Sequence, residues 1–375
     1  MKRTLCSILI VGLVISLGML CCTKKEKDVK IGVINSLTGS GAPYCENLQN
    51  ALLLAEEEIN QAGGIKGEKI KLITEDDKTS PTDAVSAMNK LVNIDKVPII
   101  IGPASSSSVM ACAPIANKAK IILLSPGAAS PNITTAGDFI LRNRASGAAE
   151  GIEIAEFAYE KLGLRKMAIL YINTDYGPGF SEAFKTKFTQ LGGHVVRIET
   201  YNQGDTDFRT QITKLKRLNP DGVYLVGVPI EAGNVLKQSL ELGFTPQFLT
   251  NNMESPELIK TAGKAAEGIF FAIPAFDPNS PDTKIRDFVS KYRNKFERDP
   301  DMFAVNAYDA VYLVKLAIEK GGYNGEGIKN TLYSIKDFPG VNGTLSFDEN
   351  GDVIKPLTIK TVSKGEFIPF EREIK

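Results

Sequence analysis

Four consecutive hydroxyls, Ser105-Ser106-Ser107-Ser108, follow the apolar run that ends Ile101-Gly102-Pro103 and open a segment with helical spacing. Hydroxyls and free backbone N–H groups at a helix start make a pocket for a carboxylate or another anion, and the helix dipole favours the negative charge. A simple N-cap needs one serine; four exceed that need. A second small-residue stretch, Leu124-Ser125-Pro126-Gly127-Ala128-Ala129-Ser130-Pro131, follows the next apolar run and leaves its backbone accessible. Its composition fits a plain turn, and it is its position beside the serine loop that argues for a ligand. Thr38-Gly39-Ser40-Gly41-Ala42-Pro43-Tyr44 stands where a dinucleotide fingerprint would, with Asp76-Asp77 placed like a ribose-binding acid. Yet Tyr44 occupies the place of the third glycine and Pro43 has no amide to offer a pyrophosphate, so a ligand loop fits better than a nucleotide cradle.

Catalytic constellations are thin. His194 is the only histidine and follows Gly192-Gly193 at the start of a predicted strand, away from these loops. One histidine and no cysteine cluster give no tetrahedral metal site. There is no Gly-x-Ser-x-Gly elbow and no Gly-x-x-x-x-Gly-Lys-Ser/Thr loop. Glu57-Glu58 falls on the charged face of a helix, where solvation accounts for it. The expectation is a binding protein that is not an enzyme and takes no metal or cofactor. Forty-four basic residues balance forty-four acidic ones, leaving no positive field to hold nucleic acid.

The elements that must position these loops alternate between strand and helix. Apolar runs at 29–34, 69–74, 97–101 and 121–124 read as strands, and 47–61, 82–92 and 108–118 carry the spacing of one helical face. A second set follows Arg144: helices at 147–162, 179–191, 208–218 and 231–242, strands at 167–172, 195–199 and 222–226. Such alternation means parallel sheets with helices on both faces. In 375 residues, 43% of them hydrophobic, two α/β lobes are expected, because a single core rarely grows beyond roughly 250–300 residues. The cleft between lobes is then the ligand site. Further on, 282–296 and 303–320 read as helices, and 345–360 as strands around the turn Asp348-Glu349-Asn350-Gly351.

Met1-Lys2-Arg3, an apolar run from Leu5 to Leu20 and the exit Cys21-Cys22 describe a secretory signal peptide. The run is shorter than the roughly twenty residues of a spanning helix. The cysteine pair suggests lipoprotein processing with Cys22 as the first, acylated residue of the mature chain; 1–22 is then the signal-peptide segment, with cleavage just before Cys22, 23–27 is a tether, and the protein sits in the periplasm or cell envelope with the lipid as its only membrane contact.

Taken in order, Ile31-Gly32-Val33, Thr38-Gly39, Tyr44, Ile59-Asn60-Gln61-Ala62-Gly63-Gly64-Ile65-Lys66-Gly67, Glu75-Asp76-Asp77, Ser105-Ser106-Ser107, Ser125-Pro126, Asp175-Tyr176-Gly177 and Ala307-Tyr308-Asp309-Ala310 resemble the leucine/isoleucine/valine-binding family of periplasmic receptors. The resemblance covers nearly the whole mature chain. It implies two doubly wound parallel-sheet lobes joined by a three-strand hinge, with 28–146 and 276–345 in the first lobe and 147–275 and 346–375 in the second. It implies a monomer that closes on a small molecule and presents it to the permease of an ABC importer. In the first lobe of such a fold the first and third strands are neighbours, which would let Cys45 and Cys112 form a disulfide.

By the same resemblance, Ser106 and the loop amides, including those of Ser107 and Ala128, grip a ligand carboxylate, while Tyr44 and Tyr176 cover the side chain. The Gly127 carbonyl, the residue at Ala129 and an acid at Asn252 would hold an ammonium. The chain departs from the family at Ala129, usually threonine, at Asn252, which is no acid, and near Val228-Pro229, where an aromatic is replaced. Losing a charge-assisted partner removes roughly 1.5–3 kcal/mol of recognition, and Glu254 or Asp309 could restore it. The expected cargo is a carboxylate such as a branched-chain amino acid; alternatives are an aromatic or organic acid or amide, or a sensing role.

Overall fold

The computed structural model describes residues 28–370 apart from residue 342. The proposed signal peptide, tether and Cys22 therefore lie outside the described residues. The first lobe is built from β1 (Val29–Asn35), α1 (Ala42–Gln61), β2 (Ile70–Asp76), α2 (Pro81–Lys90), β3 (Ile99–Ile101), α3 (Ser106–Ala119), β4 (Ile122–Ser125) and β5 (Ile140–Arg142). Its five strands are parallel in the order β2-β1-β3-β4-β5. Both faces are covered: Ile99 and Ile101 point into the core beneath α1, and Ile100 between them into the core beneath α2 and α3. Side chains that alternate between two apolar layers are what a continuous Ile/Leu run requires.

The second lobe repeats the plan with α4 (Gly147–Glu156), β6 (Lys166–Ile172), α5 (Gly177–Gln190), β7 (His194–Tyr201), α6 (Arg209–Lys216), β8 (Gly222–Val226), α7 (Pro229–Glu241), β9 (Gln247–Thr250), α8 (Pro256–Ala262) and β10 (Phe270–Pro274). The chain then returns to the first lobe, where α9 (Thr283–Phe296), α10 (Met302–Gly321) and α11 (Gly325–Ser334) complete the core over β1 and β3. A small ribbon of β11 (Phe338–Gly340) and β12 (Gly343–Leu345) follows. Finally β13 (Leu357–Ser363) adds antiparallel to β10 and β14 (Glu366–Pro369) antiparallel to β13, giving the order β14-β13-β10-β9-β8-β6-β7.

Two expectations change. The Asp348–Gly351 turn does not join long strands; only the isolated bridge Phe347–Val353 closes it, and the hairpin lies further on, around Lys364-Gly365. The chain also leaves the first lobe later than residue 346. Phe347 and Val353 are 1% and 4% exposed in the first lobe's core, and the last crossing is at 354–356. With the crossings near 143–146 and 275–282, the lobes are joined three times.

Candidate ligand-binding cleft

In both sheets the strand order reverses beside the strand that opens the lobe, at β1 with β2 and β3 on its two sides, and at β6 with β7 and β8. Loops at the carboxyl ends of strands flanking such a reversal form a crevice, and the two crevices face each other. A cavity of about 590 Å³ lies between them, lined on one side by Thr79, Ser105, Ser107 and Asn132 and on the other by Asn173, Asp175 and Gln203.

The serine loop is held by Ser106, which is 4% exposed. Its Oγ accepts from the Ala129 amide at 3.3 Å and the Ser130 amide at 3.1 Å, which ties the two small-residue loops together and leaves the hydroxyl proton to donate. No side chain caps the start of α3, so the helix offers uncapped N–H groups beside the cavity. Gly127 is required for the fit, since a Cβ there would come within 2.9 Å of the Ala104 Cβ. Ala128 and Ala129 are buried at 1% and 0% exposure.

The loop after β1 is fixed by Asp76, which accepts from the Leu37 and Lys78 amides at 3.0 and 2.9 Å and from the Thr38 hydroxyl at 2.5 Å. Asp77 accepts from the Ser36 hydroxyl at 2.5 Å. This pair of acids is a loop anchor. It delivers Tyr44 across the cleft to the start of α7, beside Ile230 and Glu231; burial first, then the nearby carboxylates, push its phenol above the ordinary range.

From the second lobe comes Tyr176, whose OH accepts from Asn251 Nδ2 at 2.8 Å. Asn251 also accepts from the Gly227 amide at 2.9 Å, so one buried side chain orients both the tyrosine and the loop after β8. Sequence reasoning singled out Asn252 and passed over its neighbour. The lobes meet across the cleft: Gln203 donates to Ser40 Oγ at 3.4 Å, and Asn252 Nδ2 contacts Met302 Sδ at 3.4 Å.

The periplasmic binding protein profile matches residues 28–366. The chain belongs to that family. Its relatives include the leucine-, isoleucine-, valine-, threonine- and alanine-binding protein of Pseudomonas aeruginosa, 30% identical over 329 residues, 87% of either chain. Among solved structures, the branched-chain amino acid transporter substrate binding protein of Streptococcus pneumoniae, in complex with isoleucine, matches at 32% identity and a TM-score of 0.83. It covers 91% of this chain and 98% of that one. An ABC transporter solute binding protein of Rhodopseudomonas palustris, in complex with 3,4-dihydroxy benzoic acid, matches at 27% identity and a TM-score of 0.81, over 92% and 96%. These are substrate-binding proteins, not enzymes, and the family is extracytoplasmic.

The remaining expected residues of this periplasmic binding protein are placed as follows. Glu254 is taken by Lys360, whose Nζ donates to it at 2.6 Å. Asp309 is 2% exposed and accepts from the Val341 amide at 2.8 Å, a position that holds the β11–β12 turn. Cys45 and Cys112 are free and buried, which overturns the expected disulfide. They stand on helices, not loops. Their helices cover opposite faces of the sheet: α1 packs into the core shared with α10, and Cys112 lies in the core on the other side. Burial pushes both thiols up to about 12.

Four hinge residues escaped sequence reasoning. Arg142, 0% exposed, pairs with Asp352 through Nε at 2.6 Å and Nη2 at 2.7 Å, and donates to the Ser130 carbonyl at 2.6 Å. Asn306 donates to the Pro126 carbonyl at 3.1 Å and accepts from Lys355 Nζ at 3.0 Å. These partners are more than a hundred residues apart in the chain or look like ordinary surface side chains, and no local signal marks them.

Proposed function

We propose that this protein is the substrate-binding component of an ABC importer, taking a small carboxylate ligand, an amino acid such as a branched-chain one, between its lobes and delivering it to the permease. Ser106 carries the reading: its oxygen is saturated by two loop amides, so its proton is directed to a ligand oxygen, beside the uncapped start of α3. Tyr44 and Tyr176 would close over the rest of the ligand from the two lobes. A second reading, an amine-free aromatic acid, is favoured by Ala129 and Asn252, which remove a hydroxyl and an acid, and by the benzoate-type ligand of the Rhodopseudomonas relative. Export and anchoring through Cys22 remain part of the proposal, as does action as a monomer.

The test is a thermal-shift screen of the purified protein against the L-amino acids and amine-free acids, since stabilisation follows ligand concentration over Kd. At least one carboxylate should raise Tm, and Ser106→Ala should weaken that ligand by roughly tenfold or more, because two buried amides lose their acceptor and the ligand a donor. Unchanged affinity in Ser106→Ala would refute the assignment.

A further inference from the structure

Four consecutive serines exceed what a helix cap needs, and the structure divides them by what they face. Ser106 is buried, with its Oγ taken by the Ala129 and Ser130 amides at 3.3 and 3.1 Å. Ser108 is buried as well. Ser105 and Ser107 instead line the cavity of about 590 Å³ between the lobes. They stand one residue to either side of Ser106, a Cα step of roughly 3.8 Å, so the cavity adjoins the Ser106 loop.

What lines this cavity sets what it can hold. Asn132 of the first lobe and Asn173, Asp175 and Gln203 of the second share its walls with the two serines. Apart from two prolines, every lining side chain carries a hydroxyl, an amide or a carboxylate. Elsewhere around the cleft, polar side chains are spent on holding loops: Thr79 Oγ1 accepts from the Gly41 amide at 2.7 Å, and Asn251 joins Tyr176 to Gly227. Among the described residues, the side chains of Ser105, Ser107, Asn132, Asn173 and Asp175 have no hydrogen-bond or ion-pair partner. Hydroxyls and amides both donate and accept, so a ligand between these walls meets donors and acceptors from both lobes. An aliphatic group enclosed here would strip water from them and return no partner. A site built to hydrogen-bond its ligand rejects the analogue that cannot reply. The one charged lining residue is Asp175, which disfavours a second anion.

We propose that this cavity receives the end of the ligand remote from its carboxylate, and that this end is polar, bearing hydroxyl or amide groups and no second negative charge. Ser105 and Ser107 on one wall and Asn173 and Gln203 on the other set that specificity. The inference rests on the reading of the Ser106 loop as the carboxylate grip, and it narrows the cargo from branched aliphatic to hydrogen-bonding compounds. Because the two walls belong to different lobes, a polar end is bonded from both sides only in the closed form, so the contacts that select the ligand also favour closure.

The experiment is calorimetric titration of the purified protein with pairs of carboxylates of nearly equal shape: L-threonine and L-valine, L-asparagine and L-leucine, and, without an amine, 4-hydroxybenzoate and 4-methylbenzoate. L-aspartate is added as the anionic partner of L-asparagine. At least one pair should bind, and in every pair that does, the polar member should bind on the order of tenfold more tightly or better; L-aspartate should bind more weakly than L-asparagine. The double variant Ser107→Ala/Asn173→Ala removes one group from each wall at positions that are not buried. It should melt near the wild type without ligand and lose most of the preference for the polar member. An apolar member that binds as tightly as its polar partner, L-aspartate binding as tightly as L-asparagine, or a double variant that keeps the full preference overturns the inference and leaves the carboxylate grip standing. The same holds if none of these pairs binds while another carboxylate raises Tm. If no carboxylate raises Tm, the grip is refuted and this inference falls with it.

Discussion

Lys355 puts an ammonium at 7% exposure on the last hinge crossing, with the Asn306 side-chain oxygen Oδ1 at 3.0 Å as a hydrogen-bond partner. Burial pulls its pKa from 10.5 down to about 8; Asp309 opposes the shift and Arg144 adds to it. The folded pKa lies below the unfolded one. Between pH 8 and 10.5 the unfolded chain therefore holds more protons, and stability rises with pH across that window. Below pH 8 both states are protonated and the contribution is flat, a cost of up to about 3 kcal/mol. Lys355→Met should remove the dependence: in urea denaturation at pH 7.5 and 9.5, the variant's advantage should shrink at the higher pH. A gap that does not change with pH would show that Lys355 is not the group responsible. The sequence displayed Lys355 as one lysine among many. Ser106, Tyr44 and Tyr176 could be proposed from the sequence because each stands in a run of neighbours with a recognisable order, whereas Lys355, Asn306 and Arg144 become a group only once three distant stretches have folded together.

Elements that were long or repeated could be read from periodicity, and those that were not stayed hidden. The helices at 283–296 and 302–321 span three turns or more, enough for a 3.6-residue period to show. β5, β9 and β10, of three, four and five residues, are too short or too uniformly apolar to separate from loop or helix. β5 nonetheless carries Arg142, which joins that strand to the 348–352 turn and to the Ser130 carbonyl of the ligand loop. Removing one partner of a buried pair leaves a bare charge and costs about 3–5 kcal/mol. Asp352→Ala should lower unfolding stability by that amount in chemical denaturation, and Asp352→Asn, which keeps a hydrogen-bond acceptor, by less. Equal losses in the two variants would mean that packing, and not the charge, ties β5 to the turn.

At the scale of the whole molecule, the proposed function requires the lobes to approach, and the structure shows one place where they meet with no room for a side chain. A Cβ on Gly179, at the start of α5 in the second lobe, would lie 2.2 Å from Cδ of Pro131, which opens the short helix Pro131–Thr135 of the first lobe. No side chain fits between them. Neither residue reaches a lobe's own core through this contact, so Gly179→Val should hold the lobes apart while each keeps its fold. A ligand shifts an open–closed equilibrium only by its differential affinity for the two states. The variant should therefore melt within a few degrees of the wild type without ligand, yet lose most of the ligand-induced rise in Tm. Small-angle scattering should show a radius of gyration that no longer contracts when ligand is added. If Gly179→Val contracts and is stabilised as fully as the wild type, the approach at Pro131 is not part of closure, and the lobes must come together about a different line of contact.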